Sequence, residues 1–169
     1  MEIKFKIFRF DPDTDLEPYY RDYTVEAQKS ERVLDCLNRI KWTQDGTLSY
    51  RMSCAHGVCG SDAMRINGKC SLACQKLVKD FESPEILVEP LPSFRPLKDL
   101  IVDMNPFFER VSEIRPYLIA SQTPEKERLQ SPEDRKKMDL AIRCILCACC
   151  SASCPVANQN DEFRGPAPL

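Results

Sequence analysis

The sequence lacks the features that would place it across a membrane, in a secretory pathway or on nucleic acid. No stretch approaches the ~20 consecutive apolar residues that a bilayer-spanning helix needs. The amino terminus, MEIKFKIFRF, alternates charged and apolar residues, so we expect neither a secretory signal nor a transit peptide. The net charge of −2 gives no reason to expect a nucleic-acid partner. Histidine is nearly absent, since His56 stands alone.

Cysteine, by contrast, is abundant, with ten residues in a chain of 169. A disulfide framework is the first explanation to weigh for an even number of cysteines. The expected absence of a signal peptide argues against it. So does the crowding of four cysteines into residues 144–150, which could not cross-link easily without strain. The pattern of cysteines therefore indicates metal ligands rather than disulfides.

Hydrophobic periodicity predicts an α+β domain over residues 1–95. Residues 2–10 alternate like a half-buried strand, and residues 19–26 are rich in β-formers, so a first hairpin is expected. Ser30 is predicted to cap a helix in which Cys36 packs as a small core residue. Apolar residues mark one face of that helix: Val33, Leu34, Leu37 and Ile40. Short strands are expected at 49–52, 63–66 and 86–89.

Prolines after residue 89 end this domain, and a second, helical domain is expected over residues 96–169. LKDLIVDMNPFFERV predicts a helix that is interrupted near Pro106. Ser131 and Pro132 followed by two acids predict the start of another helix. That helix should run to about Arg143 and lead into the second group of cysteines.

The first cysteine group, SCAHGVCGSDAMRINGKCSLAC, has the spacing of an iron–sulfur loop. Plant-type ferredoxins bind a 2Fe–2S cluster with C-x4-C-x2-C and a distant fourth cysteine. Cys54 and Cys59 fit this motif, Asp62 stands where the third cysteine belongs, and Cys74 is the distant ligand. Iron accepts a carboxylate oxygen, so Asp62 is a credible ligand. Gly57 and Gly60 allow the backbone turns that such a loop needs.

Two other residues could supply the third ligand, which leaves this position open. Asp62 could be a solvated turn residue, with Ser61 or Cys70 bound to iron in its place; Cys70 is the stronger rival because it is a thiol. A Rieske centre is excluded, because it needs two histidines. His56 is therefore expected to be an exposed loop residue.

The second group, RCILCACCSASCP, matches the bacterial ferredoxin run C-x2-C-x2-C-x3-C-P position by position. Cys144, Cys147 and Cys150 are thereby predicted to bind a 4Fe–4S cluster, and Cys154 to reach a different cluster. Cys149 fits no ligand position and is expected to pack in a core. A zinc module is the alternative, but a second C-x2-C or H-x3-H pair is missing at the usual distance.

Together, SCAHGVCGSDAM, the connection PLPSFRPLKDLIVDM and CILCACCSASCP resemble the iron–sulfur subunit of succinate dehydrogenase and fumarate reductase (respiratory complex II). The resemblance implies an amino-terminal β-grasp domain with a 2Fe–2S cluster on Cys54, Cys59, Asp62 and Cys74. It also implies a helical, bacterial-ferredoxin-like domain that holds 4Fe–4S and 3Fe–4S clusters. Cys154 would then bind the 3Fe–4S cluster.

The resemblance further implies an electron relay with no substrate site on this chain. Electrons would pass between an FAD-containing flavoprotein that interconverts succinate and fumarate and a quinone at membrane-anchor subunits. The expected location is peripheral, at the cytoplasmic face of the inner membrane, or at the matrix face in a mitochondrion. The alternatives are the electron-transfer module of another oxidoreductase and a zinc-stabilised interaction module.

The sequence departs from that family in two respects. Its helical domain is incomplete, because the cysteines present cannot close either larger cluster; the missing ligands would come from a further segment or from another polypeptide. Residues 156–159, VANQ, stand where the family has aromatic residues near quinone. This difference argues against quinone contact by these residues.

Overall fold

The computed structural model describes residues 1–120, 124–160 and 162–169. It begins with the predicted hairpin: strand β1, Glu2–Arg9, pairs antiparallel with β2, Tyr19–Glu26. Ile3, Phe5 and Ile7 of β1 are buried, whereas the lysines between them are not. The alternation of the sequence thus determines which face of the strand meets the core.

A five-stranded mixed sheet is the framework of the amino-terminal half. Its strand order is β2-β1-β5-β3-β4. The three further strands are β3, Ala63–Ile66; β4, Lys69–Leu72; and β5, Glu85–Glu89. β1 and β5 run parallel at the centre, and β3 pairs antiparallel with both β4 and β5. The α+β class and the β-grasp arrangement expected from the sequence are confirmed.

Helix α1, Val33–Thr43, packs its apolar face onto this sheet. All four predicted apolar residues are buried, and Cys36 is fully buried among them, as expected. The predicted cap is wrong: Arg32, not Ser30, is the N-cap residue. The reason lies in Asp35, whose carboxylate accepts from the Arg32 amide at 3.1 Å and thus satisfies the helix start.

The predicted strand at 49–52 is also wrong, because other parts of the chain hold the polar groups of this segment. The Ser49 amide donates to the Asp99 carboxylate at 2.8 Å, and the Arg51 guanidinium donates to the Val102 carbonyl at 2.8 Å. Asp99 lies between two short strands, β6, Pro96–Lys98, and β7, Ile101–Val102. Arg9 donates to the same carboxylate at 2.9 Å, so this hairpin is fixed to the end of β1.

The rest of the described chain is mostly irregular and contains a few short helices. Pro106 lies at the start of helix α2, Asn105–Glu113, and does not interrupt a longer helix as predicted. Proline suits a first helical turn because that turn needs no amide donor. Helix α3, Pro132–Met138, starts at Ser131 as predicted but ends before Arg143, where a short 3₁₀ turn replaces it. Helix α4, Cys149–Ala152, follows.

The buried apolar residues of the described chain form two separate clusters. The larger lies between the sheet and α1. The smaller contains Leu91, Val102, Phe107, Val111, Ala148 and Ala152. The predicted domain boundary near residue 95 stays a prediction, and the β6–β7 hairpin contributes to both clusters through Leu100 and Val102. None of the described helices is long and apolar enough to cross a bilayer.

Candidate functional site: two cysteine loops in contact

The first cysteine group lies on an irregular loop between α1 and β3. Three residues of this loop have positive φ: Ala55 at 57°, Gly57 at 84° and Gly60 at 68°. Left-handed residues turn the backbone so sharply that successive amides point to the concave side. The loop therefore curls around its own cysteine side chains, as an iron–sulfur loop must.

Backbone amides converge on the sulfur of Cys54. The amides of His56, Val58 and Cys59 donate to it at 3.5, 3.4 and 3.3 Å. The amide of His56, followed by the Cys59 thiol, lowers the pKa of Cys54 to about 6. Because the thiolate is the form that binds metal, this loop holds Cys54 in a ligand-competent state.

Cys59 is half-buried, and two polar groups lie against its sulfur besides the Cys54 sulfur. The Cys54 amide donates to its sulfur at 3.4 Å, and the Ser61 hydroxyl lies 3.2 Å from the same sulfur. Ser61 is one of the alternatives to Asp62 for the third ligand position. In the structure it contacts a cysteine that is itself a predicted ligand.

Asp62 and Cys74 lie side by side in the interior. Asp62 is 2% exposed, and its Oδ2 accepts from the Cys74 amide at 2.6 Å. Its other oxygen, Oδ1, is buried and has no hydrogen-bond partner among the described residues. Burial, followed by the adjacent Asp62 carboxylate, raises the pKa of the Cys74 thiol to about 11. A buried carboxylate oxygen without a donor is costly unless a cation or donor meets it.

The start of α1 holds both parts of this site in place. The Leu34 amide donates to the Ala73 carbonyl at 3.1 Å, which fixes the segment that carries Cys74. The Arg32 guanidinium donates to the Ala55 carbonyl at 2.5 Å, which fixes the loop that carries Cys54. The sequence did not indicate a role for Arg32, because this residue lies outside the cysteine motif and belongs to no recognisable pattern with it.

Gln75 is a second residue that the sequence did not indicate. Its side-chain amide donates to the Cys74 carbonyl at 3.4 Å and lies 4.0 Å from the Cys74 sulfur. A Cβ atom on Gly57 would lie 2.6 Å from this amide nitrogen. Because the Gln75 side chain is flexible and can move, Gly57 is needed for its positive φ rather than for space. Its neighbour in the sequence, His56, is exposed, as predicted.

Cys70, the rival ligand, lies on β4 and packs with Cys149 against the smaller apolar cluster. Cys149 is half-buried there, in agreement with its predicted packing role. The structure thus brings Asp62, and not Cys70, into hydrogen-bond contact with the Cys74 backbone.

The second cysteine group follows the 3₁₀ turn that ends at Arg143. Leu146 and Ala148 have φ of 54° and 64°, so this loop also winds through left-handed residues. Cys144 and Cys150 are exposed, whereas Cys147 and Cys154 are half-buried. A hydrogen bond with Cys149 lowers the pKa of Cys147 to about 6. The Ala157 amide donates to the Cys154 sulfur at 3.5 Å.

The two cysteine loops touch at Gly60. A Cβ atom on Gly60 would lie 2.7 Å from the Cβ and 3.0 Å from the Cα of Cys147. A cavity of about 390 Å³ opens beside this contact, and Cys59, Ser61, Met104, Phe108 and Cys147 are among its lining residues. The two predicted ligand sets, far apart in sequence, are thus neighbours in space.

No three histidine, cysteine or acidic side chains of the described residues surround one point closely enough to hold a single metal ion. A 2Fe–2S cluster has a different requirement, since each of its two irons takes two protein ligands. Two pairs of ligands, one pair for each iron, satisfy that requirement without a single point that all four surround.

Comparisons with known proteins agree with the geometry. A model of the family "2Fe-2S iron-sulfur cluster binding domain" matches residues 4–109. The chain is 47% identical to the succinate dehydrogenase iron-sulfur subunit of Coxiella burnetii, over 98% of this chain and 71% of that protein. It is 45% identical to the mitochondrial succinate dehydrogenase [ubiquinone] iron-sulfur subunit of Candida glabrata, and the match covers 98% of this chain and 67% of that protein.

A solved structure is similar over the same length. A chain of the Mycobacterium smegmatis Sdh1 complex in the apo form superposes with a TM-score of 0.86 at 31% identity. The match covers 98% of the present chain and 70% of the other.

Proposed function

This chain belongs to the family of iron–sulfur subunits of succinate dehydrogenase, and from this membership we propose how its residues serve electron transfer. As a member of that family it is an electron-transfer subunit of an oxidoreductase, and it binds iron–sulfur clusters, including 2Fe–2S. It relays electrons between the site of succinate and fumarate interconversion and the quinone pool. The chemistry on succinate belongs to another subunit.

The proposed ligands of the 2Fe–2S cluster are Cys54, Cys59, Asp62 and Cys74. The observation that carries this assignment is Asp62 Oδ1, which is buried and has no partner among the described residues. Iron at this oxygen would supply the missing positive partner. The amides around Cys54 support the assignment, since they favour a thiolate before any metal binds.

We further propose that the second loop serves the larger clusters. Cys144, Cys147 and Cys150 would hold a 4Fe–4S cluster, and Cys154 would contribute to a 3Fe–4S cluster. The left-handed turns at Leu146 and Ala148 support this role, because they wind the loop around its cysteines. Both clusters need ligands beyond these four cysteines.

A bound cluster supplies one-electron uptake and release, and this chain's residues determine how readily the electron is accepted. The amides around Cys54 stabilise negative charge on sulfur. The pKa of Arg32 is raised above its usual value, mainly by the hydrogen bond to Asp35. The nearby charges of Cys74 and Asp62 raise it by a smaller amount. Burial of Asp62 and Cys74 keeps water away from one side of the site.

We propose that the chain assembles with an FAD-containing flavoprotein and membrane-anchor subunits. Its place would be peripheral, at the cytoplasmic or matrix face of the membrane. Co-purification of a tagged chain with a flavin-containing protein and apolar subunits tests this assembly.

Low-temperature EPR on the anaerobically reconstituted, dithionite-reduced chain tests the cluster assignment, with iron and zinc counted on the same sample. A 2Fe–2S signal with about two irons per chain supports the amino-terminal site. More iron, with additional signals, would show that the second loop holds a cluster without outside ligands. A colourless protein that contains zinc would overturn the proposal.

A further inference from the structure

The Ser61 hydroxyl is placed to act on one particular ligand of the proposed cluster. Its Oγ lies 3.2 Å from the Cys59 sulfur, and either atom could be the donor in the thiol form. An iron-bound thiolate has no proton to give, so the hydroxyl must then donate to sulfur. The geometry needed for an O–H···S hydrogen bond is therefore already present.

Cys54 and Cys59 receive their hydrogen bonds from different sources. Cys54 accepts from three backbone amides, which no substitution of a side chain removes. Cys59 accepts from one amide, that of Cys54, and its second polar neighbour is the Ser61 side chain. At Cys59 the electron density on sulfur thus depends on a residue that mutation can change.

A hydrogen bond to a ligand sulfur stabilises the reduced cluster more than the oxidised one. Reduction adds one electron to the cluster and moves no proton, so the total negative charge of the irons and their ligands rises by one, and the ligand sulfurs carry part of that charge. The partial positive charge of a hydroxyl hydrogen opposes that rise, and such contacts are among the determinants of cluster potential.

We infer that Ser61 is a positioning residue that raises the reduction potential of the 2Fe–2S site through its hydrogen bond to Cys59. The inference rests on the proposed cluster assignment. Ser61 also lines the cavity shared with Cys147, so it acts on the side of the first loop that faces the second cysteine group.

The test compares Ser61→Thr with Ser61→Val in the reconstituted full chain by an EPR-monitored redox titration. Threonine and valine have nearly the same shape, and only threonine keeps the hydroxyl. We expect Ser61→Val to lower the ratio of reduced to oxidised cluster at a fixed potential about tenfold, equivalent to 59 mV for one electron. Ser61→Thr should stay near the wild-type value.

Ser61→Ala extends the series, and Ser53→Ala removes the hydroxyl of an exposed serine next to Cys54 as the matched control. Equal potentials for the threonine and valine variants would overturn the inference, as would a shift of the same size in Ser53→Ala. Wild-type protein that binds no iron would instead overturn the cluster assignment, so the two failures are distinguishable.

Discussion

At the scale of single residues, Asp62 combines two tasks that a cysteine could not perform in the same way. One oxygen accepts from the Cys74 amide at 2.6 Å, and the other, which has no hydrogen-bond partner among the described residues, is the proposed iron ligand. We predict that Asp62→Cys retains the cluster, shifts its potential and slows iron loss to a chelator, because thiolate is the softer ligand. Asp62→Ala should lose iron faster than wild type, as followed by the decay of visible absorption.

The control for this series is Asp13→Ala, which removes an exposed acid from the turn between β1 and β2. It should lose iron at the wild-type rate. Wild-type signal, potential and iron retention in Asp62→Ala would show that the carboxylate is not a ligand.

Gly60 is the second residue whose replacement the structure makes informative. Gly60→Ala would suffer both a left-handed backbone and a Cβ contact of 2.7 Å with Cys147. Gly68→Ala, at a φ of 79°, would suffer the backbone strain alone, since the nearest atom that its Cβ would meet, on Arg65, is 4.0 Å away. Backbone strain costs about 1–2 kcal/mol in each variant.

We therefore expect Gly60→Ala to lower the thermal midpoint of unfolding more than Gly68→Ala does. Circular dichroism on both variants measures the difference, which isolates the contact between the two cysteine loops. Equal midpoints would contradict that contact.

At the scale of elements, the β6–β7 hairpin is fixed by a buried ion pair. The side chains of Arg9 and Asp99 are 6% and 1% exposed. Asp99→Asn removes one of the two carboxylates that pair with the Arg9 guanidinium, and Asp45, 2.6 Å from it, remains. Breaking a buried pair outright costs about 3–5 kcal/mol. We therefore expect the thermal midpoint to fall by less than the roughly 6 to 20 °C that the loss of a sole partner would cause. Glu113→Gln, which breaks an exposed pair with Arg164, should change stability by less than about 1 kcal/mol.

Asp45 links the end of α1 to β1 and β2, and its titration predicts sensitivity to acid. Burial alone would raise the pKa of Asp45, but hydrogen bonds from Thr47, Tyr23 and Arg9 hold it well below its usual range. A lowered pKa in the folded state contributes stability above the unfolded pKa of about 3.9 and loses it as pH falls further. Asp45→Asn should narrow the difference in thermal midpoint between pH 7 and pH 3.

The elements also show what the sequence could and could not predict. The β1–β2 hairpin and the face of α1 follow from local periodicity, so they were predicted correctly. The missing strand at 49–52 depends on a partner far along the chain, Asp99. The start of α2 at Pro106 is local, but a proline in an apolar run can either interrupt a helix or begin one. The spacing of the cysteines predicted both loops. The contacts of Arg32 and Gln75 with the first loop and with Cys74 are visible only in the folded structure.

At the scale of the whole molecule, stability is distributed unevenly. The central strands β1 and β5 are buried between neighbours, whereas none of the residues of α3 is buried. Hydrogen exchange measured by mass spectrometry should therefore find the slowest amides in β1 and the fastest helical amides in Pro132–Met138. Similar protection in α3 and β1 would show that α3 is covered in solution.

The contact at Gly60 also has a kinetic meaning. The probability that an electron tunnels between two centres falls exponentially with the gap between them. With hydrogen in place of a methyl group at Gly60, the backbone of Cys147 comes directly against the first loop. If each loop holds its proposed cluster, the absent side chain shortens the gap that the electron crosses. Gly60 would thus favour fast electron transfer by keeping the two proposed clusters close together.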